Sequence, residues 1–167
     1  TTRGRRRKPV PQSARLSVLL HSEWRARQLC ELASMVDVTV SQETPDDNSW
    51  LVRMEGPALL PVAQEWTKGA VKTVPAQWRL SDRALQVWAL VAGVLDESGM
   101  CFGLDAHIAQ HEELRKRAAE ALQKLGAASS YVGPRAGGPA LRVVGQRRLA
   151  NVMTIVGEPP EDGSWDA

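Results

Sequence analysis

The 167 residues are 43% hydrophobic and 24% charged, which supports one or two domains with a real core and excludes an intrinsically disordered chain. No apolar run is long enough to cross a bilayer. The two cysteines, Cys30 and Cys101, have no metal-ligand spacing and make no disulfide framework, which suits a reducing compartment.

The net charge of +2 conceals a cluster of cations at one end, where Arg3, Arg5, Arg6, Arg7 and Lys8 stand without an anion. This arm, residues 1–11, is kept extended by Pro9 and Pro11. It reads as a nucleic-acid tether or a ribosomal-type extension, with a targeting or tag remnant as the alternative.

A first unit is predicted over residues 12–66. A strand at 15–20 is followed by a helix at 23–35 that Ser22 can cap, with Leu29, Leu32 and Ala33 at helical spacing. Val36, Val38 and Val40 alternate with polar residues and predict a half-buried strand at 36–41. A Pro/Asp/Asn turn, a returning strand at 50–55 and a helix at 58–66 complete the unit. Residues 67–80, with Gly69 and Pro75, read as a linker.

A second unit is predicted over 81–157. It opens with a helix at 81–97 capped by Ser81, then a strand at 100–108 and a helix at 112–125 ended by Gly126. Strands at 128–132 and 139–144 flank the Gly/Pro-rich loop 133–138, and a last helix runs over 146–156. Residues 158–167 form an acidic tail expected to be loosely held. Shifted by ninety positions, Leu32 lies on Leu122, Met35 on Leu125, Leu51 on Leu141 and Leu59 on Leu149. The two units therefore read as one internal repeat whose first copy lacks the leading helix.

The leading helix carries the sequence Val91-Ala92-Gly93-Val94-Leu95-Asp96-Glu97-Ser98-Gly99. Gly93 costs about 1 kcal/mol against Ala inside a helix, so Ala92 and Gly93 predict close packing against another backbone. Asp96 and Glu97 fall where a helix dipole disfavours acid. These nine residues resemble a degenerate LAGLIDADG motif, the signature of the homing-endonuclease and maturase family. The resemblance extends over residues 88–160 and, less closely, over 15–66.

The resemblance implies an α+β fold of two repeats, each with a motif helix, an antiparallel sheet and flanking helices. Two motif helices pack through their small residues, and the sheets form a saddle over DNA or RNA. In the family, metal ions held between acids at the two motif ends drive cleavage. The essential acid directly precedes the final glycine, and here that position is Ser98, a poor ligand for a hard cation. Asp96 matches the earlier acid of the motif. Glu97 is one position off, a rotation of about 100° around a helix. With the second motif helix missing as well, Asp96, Glu97 and Ser98 read as relics, and no catalytic residue, metal or cofactor is expected.

Outward saddle positions would be Arg15, Ser17, Asp37, Thr39, Ser41 and Arg142, too few cations and amides for base reading. The cations lie elsewhere, in the arm, at Lys68 and Lys72, at Arg115, Lys116 and Arg117, and at Arg147 and Arg148. Such scattered patches suit backbone contact with RNA, although solvated helix faces explain the Arg115 cluster equally well. His107 and His111 straddle a predicted strand–helix junction and make a weak metal pair. The 133–138 loop lacks the Lys-Ser/Thr ending of a phosphate loop. Trp50, Trp66, Trp78 and Trp88 belong on apolar stripes, whereas Trp24 and Trp165 are expected at a partner surface.

The expectation is therefore a non-catalytic RNA-binding structural protein of an organelle ribonucleoprotein, first of all a mitochondrial ribosomal subunit component. Its partners would be ribosomal RNA, neighbouring subunits and a separate chain or fragment against the 91–99 helix, with no membrane. Organelle-intron members of the family tend to be rich in Lys, Asn, Ile and Tyr, so by the resemblance a composition rich in Ala, Arg and Gly, with one Tyr and one Phe, implies a GC-rich genome, a nuclear one for example. The alternatives are a splicing or maturation factor for organelle RNA, an active LAGLIDADG DNA endonuclease, and a bacterial DNA-binding regulator on the same fold.

Overall fold

The computed structural model describes residues 12–166. The first unit comprises β1 (Ala14–Leu20), α1 (Glu23–Ser34), β2 (Thr39–Asp46), β3 (Ser49–Gly56), a 3-10 turn and α2 (Leu60–Trp66). A small hairpin, β4 (Thr67–Lys68) and β5 (Val71–Lys72), leads on to α3 (Asp82–Ala92), β6 (Gly93–Asp96) and β7 (Gly99–Gly103). The chain then forms α4 (Ala106–Gln110), α5 (Glu112–Lys124), β8 (Ser129–Val132), β9 (Ala140–Val143) and α6 (Gln146–Val156). The class is α+β, with antiparallel sheets in the orders β1-β3-β2 and β6-β7-β9-β8.

Helices follow their sequence signals. The Ser81 hydroxyl accepts from the Ala84 N–H at the start of α3, and Gly126 closes α5 with φ 77°. Ser22 holds the N-cap position of α1 but makes no side-chain cap bond. One apolar cluster joins both units, from Leu29, Val52 and Met54 to Phe102, Leu122 and Leu141.

Strands depart from the pattern more often. The alternation from Val36 belongs to a turn: Val36 N–H donates to Ala33 and Val38 N–H to Val36, and β2 starts only at Thr39. Asp37 consequently lies outside the sheet. The strand expected over 100–108 stops at Gly103, because the Asp105 carboxylate accepts from the His107 N–H and starts a helix. The linker is packed rather than loose: Val74 and Leu80 are buried, and Arg117 donates to the Val74 carbonyl at 2.9 Å.

The repeat holds in topology, with a corrected alignment. In the first sheet Val40 faces Met54 and Gln42 faces Val52; in the second, Ser129 faces Val143 and Tyr131 faces Leu141. These pairs superpose one position short of ninety. Strand parity enforces the correction, since a one-residue slip would place buried Val52 over Arg142 on the opposite face. β1 and β7 match as well: Leu16 faces Met54 as Met100 faces Val143, and Val18 faces Val52 as Phe102 faces Leu141. The second unit additionally carries α4, and it is preceded by α3 and β6, which have no counterpart among the described residues of the first.

Candidate nucleic-acid interface

The stretch 91–99 is not the end of a helix. α3 ends at Ala92, and Gly93–Asp96 folds back on Gly99–Gly103 around Glu97 and Ser98. Asp96 Oδ1 accepts from the backbone N–H of Ser98 at 2.7 Å and from its hydroxyl at 2.5 Å. These bonds favour the ionised carboxylate and hold its pKa below the usual Asp value. Asp96, Glu97 and Ser98 thus build an exposed hairpin turn. Among the described residues no group of three or more His, Cys, Asp or Glu side chains could hold a metal.

Ala92 and Gly93 serve the same fold-back. A Cβ on Gly93 would collide with the Ala89 backbone and come within 2.7 Å of Met100 Cε. A Cβ on Gly103 would lie 3.1 Å from that of Ala92. The element docked on this helix end is α1 of the first unit, not a second motif helix. Buried Arg25 donates to the carbonyls of Ala89 (3.1 Å), Leu90 (3.0 Å) and Gly93 (2.8 Å), placing a cation at the negative end of the α3 dipole. Its guanidinium lies 5.1 Å from the Trp24 ring centroid and 5.3 Å from that of Trp165. Those two tryptophans are therefore buried, contrary to the expectation from sequence. The tail is fixed by Trp165, by a bond from Leu95 N–H to the Trp165 carbonyl, and by the Arg27–Asp162 pair at 2.7 Å.

The open sheet faces are charge-balanced. Opposite buried Val52 and Met54, the Arg15 guanidinium meets Glu55 at 2.9 Å and Arg53 meets Glu43 at 2.5 Å. Ser17, Thr39 and Ser41 lie beside them in register. On the second sheet Arg142 is flanked by Cys101 and Ser130, and its Nε donates to the Cys101 sulfur at 3.3 Å.

Several of the remaining cations are also engaged. Lys72 pairs with Asp105 at 2.6 Å, Lys116 with Glu112 at 3.1 Å, and Arg117 with Glu113 at 2.6 Å. Arg115 lies over Tyr131 at 4.4 Å and donates to the Ala109 carbonyl. Lys68 sits exposed on β4, in the same hairpin as Lys72. The arm residues Arg3, Arg5, Arg6, Arg7 and Lys8 fall outside the described residues. His107 and His111 lie on α4 and at its end, where the His111 Nδ1–H donates to the His107 carbonyl at 2.7 Å.

Arg147 and Arg148 are exposed in the first turn of α6 and make no ion pair with any described residue. Exposed Lys68, Arg79, Arg83, Lys124 and Arg135 also make no ion pair with a described residue, and Arg147 and Arg148 are set apart from them by standing side by side at a helix start. The helix starts at Gly145 (φ 93°) with no side-chain cap, so its first N–H groups have no side-chain acceptor. Both arginines line a cleft of about 540 Å³, together with Gln123, Gln146 and Asn151. Sequence reading missed these three polar residues. The signal was the run Gly145-Gln146-Arg147-Arg148 just after a strand, where glycine at the helix entry leaves the cap vacant. Two guanidinium groups at the positive end of a helix can take a phosphate or carboxylate, but this constellation has no group to cut a bond. Compared with known proteins, the chain matches no family model, no curated protein and no solved structure.

Proposed function

We propose that this is a non-cleaving nucleic-acid-binding protein on a LAGLIDADG-like scaffold, and that it grips RNA through its phosphates. The carrying observation is the Arg147–Arg148 pair, which lacks any ion partner among the described residues beside the uncapped start of α6. The scaffold reading is supported by the repeated order strand, helix, strand, strand, helix and by the antiparallel sheet behind each copy. Loss of cleavage is supported by the Asp96 carboxylate, which is committed to its own turn.

RNA is favoured over duplex DNA because the open sheet faces carry internally neutralised charges and few side chains suited to base edges. The cationic arm at residues 3–8 adds a second phosphate contact, and on it rests the finer assignment to an organelle ribonucleoprotein, the mitochondrial ribosome first. Fluorescence anisotropy with labelled single-stranded RNA, duplex RNA and duplex DNA tests the reading. RNA should bind more tightly than DNA, and Arg147→Ala with Arg148→Ala should weaken it on every sequence alike. Undiminished binding by that double variant, or preferred duplex-DNA binding, overturns the proposal.

A further inference from the structure

The two repeats differ in what lies over equivalent residues. In the second unit Met100 is 0% exposed, with Leu95 of β6 opposite it and Gly93 close to its Cε. Its counterpart in the first unit, Leu16, is 46% exposed. Phe102 is 0% exposed under the Trp88 ring of α3, at 5.2 Å, whereas its counterpart Val18 is only partly buried. Val152 on α6 is 0% exposed where Gln86 of α3 donates to the Ile155 carbonyl on the same helix. Its counterpart Ala63 on α2 is half-buried. The side chains left uncovered in the first unit are those that α3 and β6 cover in the second.

The edges of the sheets agree. β6 is capped by the Trp165 carbonyl, which accepts from Leu95 N–H. β2 is guarded by Glu43, Pro45, Asp46 and a register break, and β8 is four residues long and runs into Gly133-Pro134. β1 is seven residues long with one charge, Arg15, and its outer edge meets no described strand. Leu19, 52% exposed, lies along it.

We infer that the outer edge of β1, with Leu16, Val18 and Ala63, is a docking site for a helix-then-strand segment of another polypeptide. The occupant has the chemistry of α3–β6: an apolar helix face with small residues at its end, then a short apolar strand laid antiparallel to β1. A β-bonded strand would satisfy the open N–H and C=O groups of β1 and cover Leu16, and the helix would bury Val18 and Ala63.

The probe is a labelled peptide of residues 81–97 of this chain, added to the full-length protein. Saturable binding is expected, with slowed amide exchange confined to β1 and α2. Leu16→Glu should weaken it at least tenfold, and Val71→Glu, equally exposed on the β4–β5 hairpin, should leave it unchanged. The exchange pattern of the unsubstituted protein stands independently of how the Leu16 variant folds. Absence of saturable binding, protection elsewhere than β1 and α2, or a concentration-dependent dimer that protects β1 without peptide each overturns the inference.

Discussion

Arg25 joins the two repeats through a single side chain. Three carbonyls at the end of α3 accept from it, and two indole rings flank it. Burial lowers its pKa from the ordinary arginine value, yet an arginine so placed remains charged at neutral pH. Arg25→Met should cost about 2–4 kcal/mol, because it strands buried carbonyls and removes a desolvated cation from a helix C-terminus. Arg25→Lys should recover only part of this, since one ammonium cannot reproduce the planar fork. Urea midpoints measure both. At the same scale, Asp96, Asp105 and Asp162 all have pKa values below the ordinary one, through bonds from Ser98, Lys72 and Arg27 respectively. A carboxyl depressed in the folded state stabilises it above the unfolded pKa, about 3.9, and loses that contribution as pH falls through the folded value. Stability should therefore fall with acidification below about pH 4. The Asp162→Asn variant should show a shallower fall, measured by thermal denaturation across pH.

Among the elements, the tail departs furthest from its composition. Residues 158–166 are acidic and proline-rich, but Trp165 lies in the core at 5.2 Å from Trp24, and its carbonyl caps β6. Trp165→Ala should destabilise the chain by about 3–5 kcal/mol and speed exchange at the Leu95 amide, which hydrogen-exchange mass spectrometry can follow. Sequence had concealed this because a lone tryptophan among loop residues carries no periodicity. Helices α1, α3 and α5 were legible from their flanking Ser22, Ser81 and Gly126. The 91–99 stretch was not, because Val91, Val94 and Leu95 suit a helix stripe and a strand equally. Tertiary contacts decide it: Arg25 takes the carbonyls that would continue α3, and the close approach of Ala89 and Met100 to Gly93 folds the next residues back as β6. The alignment of the repeat was off by one for a related reason, since spacing of leucines does not report which strand face is buried. Of the candidate interface, Arg147 and Arg148 were visible as charges. Their place beside the uncapped start of α6 and in one cleft is set by the fold, as is the pairing of Lys72, Lys116, Arg15 and Arg117.

For the whole molecule, the placement of unneutralised charge decides what binding can look like. If Arg147, Arg148 and the arm grip phosphates, affinity should fall linearly with salt on logarithmic axes, by about 0.7 in slope per contact to single-stranded nucleic acid. Arg147→Ala with Arg148→Ala should thus reduce the slope by about 1.4 and weaken binding uniformly over sequences, whereas a base-reading pair would change the preferred sequence instead. Asp96→Asn and Glu97→Gln should change slope and affinity far less than the arginine substitutions, because these exposed side chains sit on the β6–β7 turn and neither lines the cleft. The same pair of variants separates a binding protein from a nuclease. Mg²⁺-dependent cleavage of DNA or RNA by the unsubstituted chain, abolished in either variant, would place a metal site at the β6–β7 turn after all. A salt slope that is unchanged in the arginine variant would leave the cleft without a role in binding and move the phosphate contacts to the arm.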